Sequence, residues 1–248
     1  MVEEPANPPR SRLARAVVLA ALALAFAGFC ALGAWQVKRL AWKLDLIERV
    51  ESRVHAVPTE APGPETWAAF DAKGNEYRHV YLYGEIYAWM PAYTQAVTEQ
   101  GPGYWMLLPY KTEQGWIVWV NKGFVPPDYK REFEQKMVDP APGYRRITGL
   151  LRVTEPGGGF LRKNDPANGR WFSRDVEAIS AANHLGNIAP YFVDADYDAS
   201  APQWPRGGMT VVKFRNSHLS YALTWFALAL LAAFAFWRFA REGRPSPR

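Results

Sequence analysis

Of the four histidines, His55, His79, His184 and His218, only His218 opens a long uncharged run, Leu219 to Trp237. Counted along a helix, His218, Tyr221, Trp225 and Leu228 fall on one face, and Ala222, Ala229 and Ala232 leave little bulk beside them. Such a face can receive a planar apolar ring, and a haem iron accepts one imidazole nitrogen. Haem propionates want cations at the water boundary; Arg215, three residues before His218, and Arg39, one turn beyond another apolar run, can both reach that level. The plainer alternative makes His218, Tyr221 and Trp225 interfacial anchors, with Arg215 snorkelling to the headgroups. The other three histidines read as ordinary surface or strand residues, because their scatter lacks zinc-ligand spacing.

Other chemistry is missing from the sequence. No Ser sits in G-x-S-x-G and there is no H-E-x-x-H, so hydrolase and metalloprotease readings have no nucleophile or metal pair. The triple glycine Gly157 to Gly159 is not followed by the Lys-Ser/Thr of a phosphate loop, and it reads as a turn or docking loop. Cys30 is the only cysteine, which excludes a thiol copper carrier and any intramolecular disulfide. The expectation is a non-enzyme.

The elements that must hold His218 follow from the apolar runs. Ala16 to Trp35 and Leu219 to Trp237 carry no charge, and at 1.5 Å per helical residue each reaches about 30 Å, the thickness of a bilayer core. We therefore divide the chain into a cytoplasmic tail at 1–15, a span at 16–35, an outer domain at 36–217, a span at 218–237 and a cytoplasmic tail at 238–248. Orientation comes from the tails, which hold Arg10, Arg12, Arg15, Arg238, Arg241, Arg244 and Arg248 against Glu3, Glu4 and Glu242. They account for most of the net charge of +5, and basic residues collect on the cytoplasmic side. Lys38, Arg39 and Lys43 oppose this but are outnumbered. The basic balance is thus a topology signal, with no basic face to suggest nucleic acid. A cleavable signal peptide ending near Ala31 and Gly33 is the alternative for the first run, whose length exceeds a usual signal core.

Val37, Leu40, Leu44, Ile47, Val50 and Val54 recur at three- and four-residue steps, so the first span should continue outward as an amphipathic helix until Pro58, Pro62 and Pro64. Strand signals follow at Tyr77 to Tyr87, Tyr104 to Tyr110, Trp116 to Val120, Tyr144 to Val153, Tyr191 to Ala195 and Met209 to Phe214. In the first of these, Val80, Leu82, Gly84 and Ile86 alternate with more polar neighbours, as in an antiparallel strand with one packed face. A helix is expected from Ser173 to Leu185, capped by Ser173 and closed by Gly186. The fold class is an α+β membrane protein: two transmembrane helices flanking an extracytoplasmic domain of six or seven strands, either a rolled antiparallel sheet or a small barrel, with two or three helices. The basic stretch Arg162 to Arg174 is either a partner surface or a self-satisfied loop.

Several long segments carry a resemblance: LGAWQVKRLAWKLDLI from Leu32, YRHVYLYGE from Tyr77, GPGYWMLLPY from Gly101, WVNKGFVP from Trp119, GLLRVTEPGGGFLRKNDPANGRWFSRDV from Gly149, APYFVDAD from Ala189 and GGMTVVKFRNSHLSYALTWF from Gly207. Together they resemble the surfeit-locus proteins, which assist assembly of haem-copper cytochrome c oxidase. The resemblance implies an assembly factor acting when haem a enters the catalytic subunit, with that subunit and the haem a synthase as partners. Bacterial members are linked to haem a through the histidine that matches His218. It further implies a multi-pass protein of the bacterial inner membrane with its middle domain in the periplasm, since the fifteen residues before the first span, with two Glu, do not resemble a mitochondrial leader.

Overall fold

The computed structural model describes residues 12–136, 143–159, 161–210, 214 and 216–241. In chain order the elements are α1 (Arg12–Val54), β1 (Thr59–Glu60), α2 (Pro64–Trp67), α3 (Ala72–Asn75), β2 (His79–Ile86), β3 (Ala92–Thr98), β4 (Gly101–Thr112), β5 (Ile117–Val125), α4 (Pro127–Lys136), β6 (Arg145–Val153), β7 (Gly158–Gly159), β8 (Arg162–Lys163), α5 (Val176–Ala182), β9 (Ile188–Ala195) and α6 (His218–Arg241). They form two compact units, Met1–Arg49 with Lys213–Arg248, and Val50–Val212. Among the described residues α1 and α6 are the two helices long and apolar enough to cross a membrane.

The second unit is built on a seven-stranded sheet in the order β1-β2-β6-β9-β5-β4-β3. An additional antiparallel pairing of β2 with β4, from Gly84↔Thr112 to Ile86↔Tyr110, closes β2, β6, β9, β5 and β4 into a five-strand barrel. Closure removes the exposed edges an open sheet of these strands would present. It also demands glycine at the seam, because a Cβ on Gly84 would stand 2.1 Å from the Lys111 carbonyl oxygen. All barrel pairings are antiparallel except β5 with β9.

Alternation in the strands sorts the side chains into two cores. Val80, Leu82, Tyr110, Val118, Val120, Leu151, Tyr191 and Val193 fill one. Leu107, Trp119 and Phe192, from the opposite faces of their strands, form a second with Trp171, Val176 and Ile179 of the α5 region. Fully buried Trp119 satisfies its indole by donating to Ser180 Oγ at 2.8 Å, which fastens α5 to β5.

The barrel form of the expected outer domain is what forms, and the packed face of β2 carries the expected Val80, Leu82 and Gly84. Several local expectations need correction. The helix expected from Ser173 starts at Val176, capped by Asp175, whose Oδ1 accepts from Ala178 N at 3.1 Å. Ser173 instead donates to the Glu155 carbonyl at 2.6 Å, so its hydroxyl is committed to the loop. Asn183, not Gly186, caps the other end. Met209 and Thr210 are outside any strand, and residues 211–213 of that expected strand lie outside the described residues. On α1, Val37 and Leu44 are exposed although Val50 is buried, so the expected apolar stripe is packed only at some of its positions. Of the triple glycine expected as a turn, Gly157 lies in a turn, and Gly158 and Gly159 form β7 of the β7–β8 hairpin.

Candidate functional site

In the first unit α1 and α6 run antiparallel. Near one end Arg15 Nη2 donates to the Ala240 carbonyl at 2.9 Å; further along, the Phe29 and Trp225 rings stack with centroids 5.8 Å apart. Small residues let the backbones approach: Ala222, Ala229 and Ala232 are buried, and a Cβ on Gly33 would come within 2.7 Å of the Phe226 ring.

At the other end His218 begins α6 and its Nδ1 meets Gln36 Oε1 at 2.8 Å. Gln36 is buried, and a buried amide oxygen without a donor is costly, so the ring satisfies it. An amide oxygen can only accept, so in this pairing Nδ1 donates, and Nε2 is the ring nitrogen not used by Gln36. No hydrogen bond to Nε2 is formed among the described residues. An acceptor that fixes the orientation of an imidazole through its other nitrogen is also the way ligating histidines are held in metalloproteins. Among the described residues no three His, Cys, Asp or Glu side chains gather as a metal set.

The other expected site residues are placed differently from one another. Trp225 turns with His218 toward α1, where Phe29 already covers its ring. Tyr221 is exposed on the outside of the helix pair. Arg39 lies over the Trp42 ring of its own helix at 4.5 Å, and Lys43 lies over Phe214 at 4.8 Å. Arg215 lies outside the described residues. Sequence reasoning missed Gln36, although an amide at the edge of an apolar run, three residues after Gly33, is a readable sign of a polar contact between helices.

The second unit holds a buried ionic cluster that was also missed. Asp194 accepts from Arg152 Nη1 and Arg174 Nη1 at 3.1 Å each, and from Asn121 Nδ2 and Thr210 Oγ1 at 2.8 Å each. Arg174 also grips Glu155 with Nε and Nη2. Burial alone would raise the Glu155 carboxyl, but the hydrogen bonds and charge of Arg174, helped by Arg152, hold it below its ordinary range. In the Arg162 to Arg174 stretch Arg162, Arg170 and Arg174 are engaged inside this unit, while Lys163 is exposed. Arg162 donates to Gln95 Oε1 at 3.0 Å, Arg170 pairs with Asp165 at 2.5 Å, and Asn164 Oδ1 accepts from Phe172 N at 2.8 Å. His79 Nδ1 donates to Ala56 O at 2.9 Å and its Nε2 lies 2.8 Å from Asp196 Oδ2, and His55 Nδ1 lies by Glu51 O.

Comparison with known proteins adds relatives to this geometry. Residues 23–230 match the SURF1 family. The chain is 32% identical over 231 residues to Surfeit locus protein 1 of Homo sapiens, covering 86% of this chain and 74% of that protein. It is 33% identical over 228 residues to the protein of the same name from Mus musculus, covering 85% and 72%. A SURF1-like protein of Caenorhabditis elegans is 30% identical over 221 residues, covering 81% and 67%. A match that takes in both long apolar helices and the barrel between them leaves one conclusion: this chain belongs to the SURF1 family.

Proposed function

We propose that this protein is a non-enzymatic assembly factor for haem-copper cytochrome c oxidase that holds haem a through His218 and assists its insertion into the catalytic subunit. The observation that supports the reading is the Gln36 to His218 hydrogen bond, which occupies Nδ1 and leaves Nε2 as the nitrogen an iron would take. Haem a, if bound, would supply an iron that takes an imidazole nitrogen and propionates that take cations. Arg39 and Arg215 are the cations this chain offers, and Tyr221, one turn after His218, offers an exposed ring. A single imidazole suits a temporary holder, because release breaks one iron–nitrogen bond.

In this reading both tails face the cytoplasm of a bacterial inner membrane, and the barrel unit is periplasmic, where it meets the catalytic subunit and the haem a synthase. The support is the excess of Arg over Glu in the two tails. A rival is a scaffold that steadies the nascent oxidase subunit without haem, favoured by the way Phe29 and Phe226 fill the space between the helices. The two readings separate when the protein is purified from cells that make haem a. A holder brings haem a in near-stoichiometric amount, whereas protein that is free of haem while the cells assemble active oxidase leaves only the scaffold. Topology is tested separately: a reporter active only outside the cytoplasm should work near Gly157 and fail after Arg248, and the reverse pattern would invert the orientation.

A further inference from the structure

The five-strand barrel has an open mouth, independent of the haem reading. Ile86 of β2 and Met106 and Leu108 of β4 form the apolar floor of a cavity of about 580 Å³ there, within the size range of small-molecule sites. The chain after β9 crosses this end as a wall. It is pinned where Arg206 and Phe124 exchange two backbone hydrogen bonds of 3.0 and 2.9 Å. The approach is so close that a Cβ on Gly123 would stand 1.9 Å from the Arg206 carbonyl oxygen.

Lys122 lines the cavity. The pairing of β4 with β5 slips here, Met106 facing Gly123 and Leu107 facing Asn121, so Lys122 is the extra residue of a β-bulge. Bulges redirect side chains and gather at functional sites. The Lys122 ammonium has no hydrogen bond or ion pair among the described residues. Burial lowers its pKa, with Asp198 opposing and Arg145 reinforcing the effect. Lys122 is half-buried at the cavity wall, and a partly desolvated ammonium without a partner gains from an anion beside it. The nearby carboxylates are already engaged, Asp196 with His79 at 2.8 Å and Asp198 with the Ser200 amide and hydroxyl at 2.9 and 2.6 Å. Those two acids, set against Lys122, Arg145 and Arg206, leave a surplus of one positive charge, which a single negative charge balances.

We propose that the barrel mouth binds a small amphiphile, a carboxylate on an apolar body, with the carboxylate on Lys122 and the body on Ile86, Met106 and Leu108. The test uses the full chain in lipid nanodiscs and fluorophenylpropionate as the probe, followed by fluorine NMR. Wild type should show saturable binding in the millimolar range, and Lys122→Arg should keep it. Lys122→Met should weaken it about tenfold or more, as loss of a charge-assisted hydrogen bond requires. The neutral amide of the probe should be weakened to a similar degree on unaltered protein, a control that does not depend on how a variant folds. Absence of saturation below about 10 mM would overturn the proposal. So would equal binding by Lys122→Met, or amide binding equal to acid binding.

Discussion

Replacing Arg174 by Met removes the guanidinium that bridges Asp194 and Glu155, while keeping an unbranched stem over the Phe192 ring, where the guanidinium carbon sits 4.7 Å from the centroid. Removing one partner of a buried ion pair costs about 3–5 kcal/mol, mostly because the remaining charge is stranded. Here the stranding is incomplete. Asp194, with a side chain only 6% exposed, keeps Arg152, Asn121 and Thr210, and Glu155, at 38% exposed, can turn to water. The expected loss is therefore at the lower end, about 3 kcal/mol. Urea unfolding of the full chain in detergent micelles, followed by tryptophan emission, should report the barrel unit, where Trp119 is fully buried. With a slope of about 2 kcal/mol/M the midpoint should fall by about 1.5 M. A fall of less than about 0.5 M in a well-folded variant would refute the view that this cluster depends on Arg174.

Three further outcomes follow from named contacts. Gly123→Ala should fail to accumulate as folded protein, because its φ of 122° is strained for alanine and the methyl would enter the Arg206 carbonyl; soluble protein with a wild-type melting curve would contradict this. Glu155 titrates below its ordinary 4.5 when folded, so its stabilisation is complete above that value and lost as pH falls through the folded pKa; Glu155→Gln should lose stability at neutral pH but flatten the acid limb, and an unchanged acid limb would count against the pairing. Gln36→Leu should lower haem a affinity about 10- to 100-fold through loss of the acceptor that orients His218, with Gln36→Glu restoring it, and equal affinity in all three proteins would remove Gln36 from the site.

The two long helices and most barrel strands were legible because their signals are local: uncharged length in one case, alternation such as Val80, Leu82 and Gly84 in the other. β3 was missed because Ala92 to Thr98 mixes Ala, Thr and Gln without alternation, its burial being imposed by pairing with β4. α4 was missed although Pro127 opens it and Asp128 sits in its first turn, signals overshadowed by its low apolar content. The cap of α5 was misplaced because Ser173 and Asp175 are both good cap residues, and only the loop that occupies Ser173 decides between them. At the candidate site His218 could be singled out by its place at an apolar boundary. Gln36, 182 residues away in sequence, could be joined to it only by folding. The Asp194 cluster likewise draws on β5, β6, β9 and two loops, so no single segment announces it.

The central claim is that His218 holds haem a, and the most direct measurement compares haem content and the visible spectrum of His218→Ala and wild-type protein, purified from the same haem a-making cells. Wild type should carry haem a with a defined absorption band. His218→Ala should insert normally and lose most of the pigment, because it removes the Nε2 ligand, whereas His79→Ala and His184→Ala, altered in the barrel unit, should retain it. Equal haem content and an unchanged spectrum in His218→Ala would contradict the account.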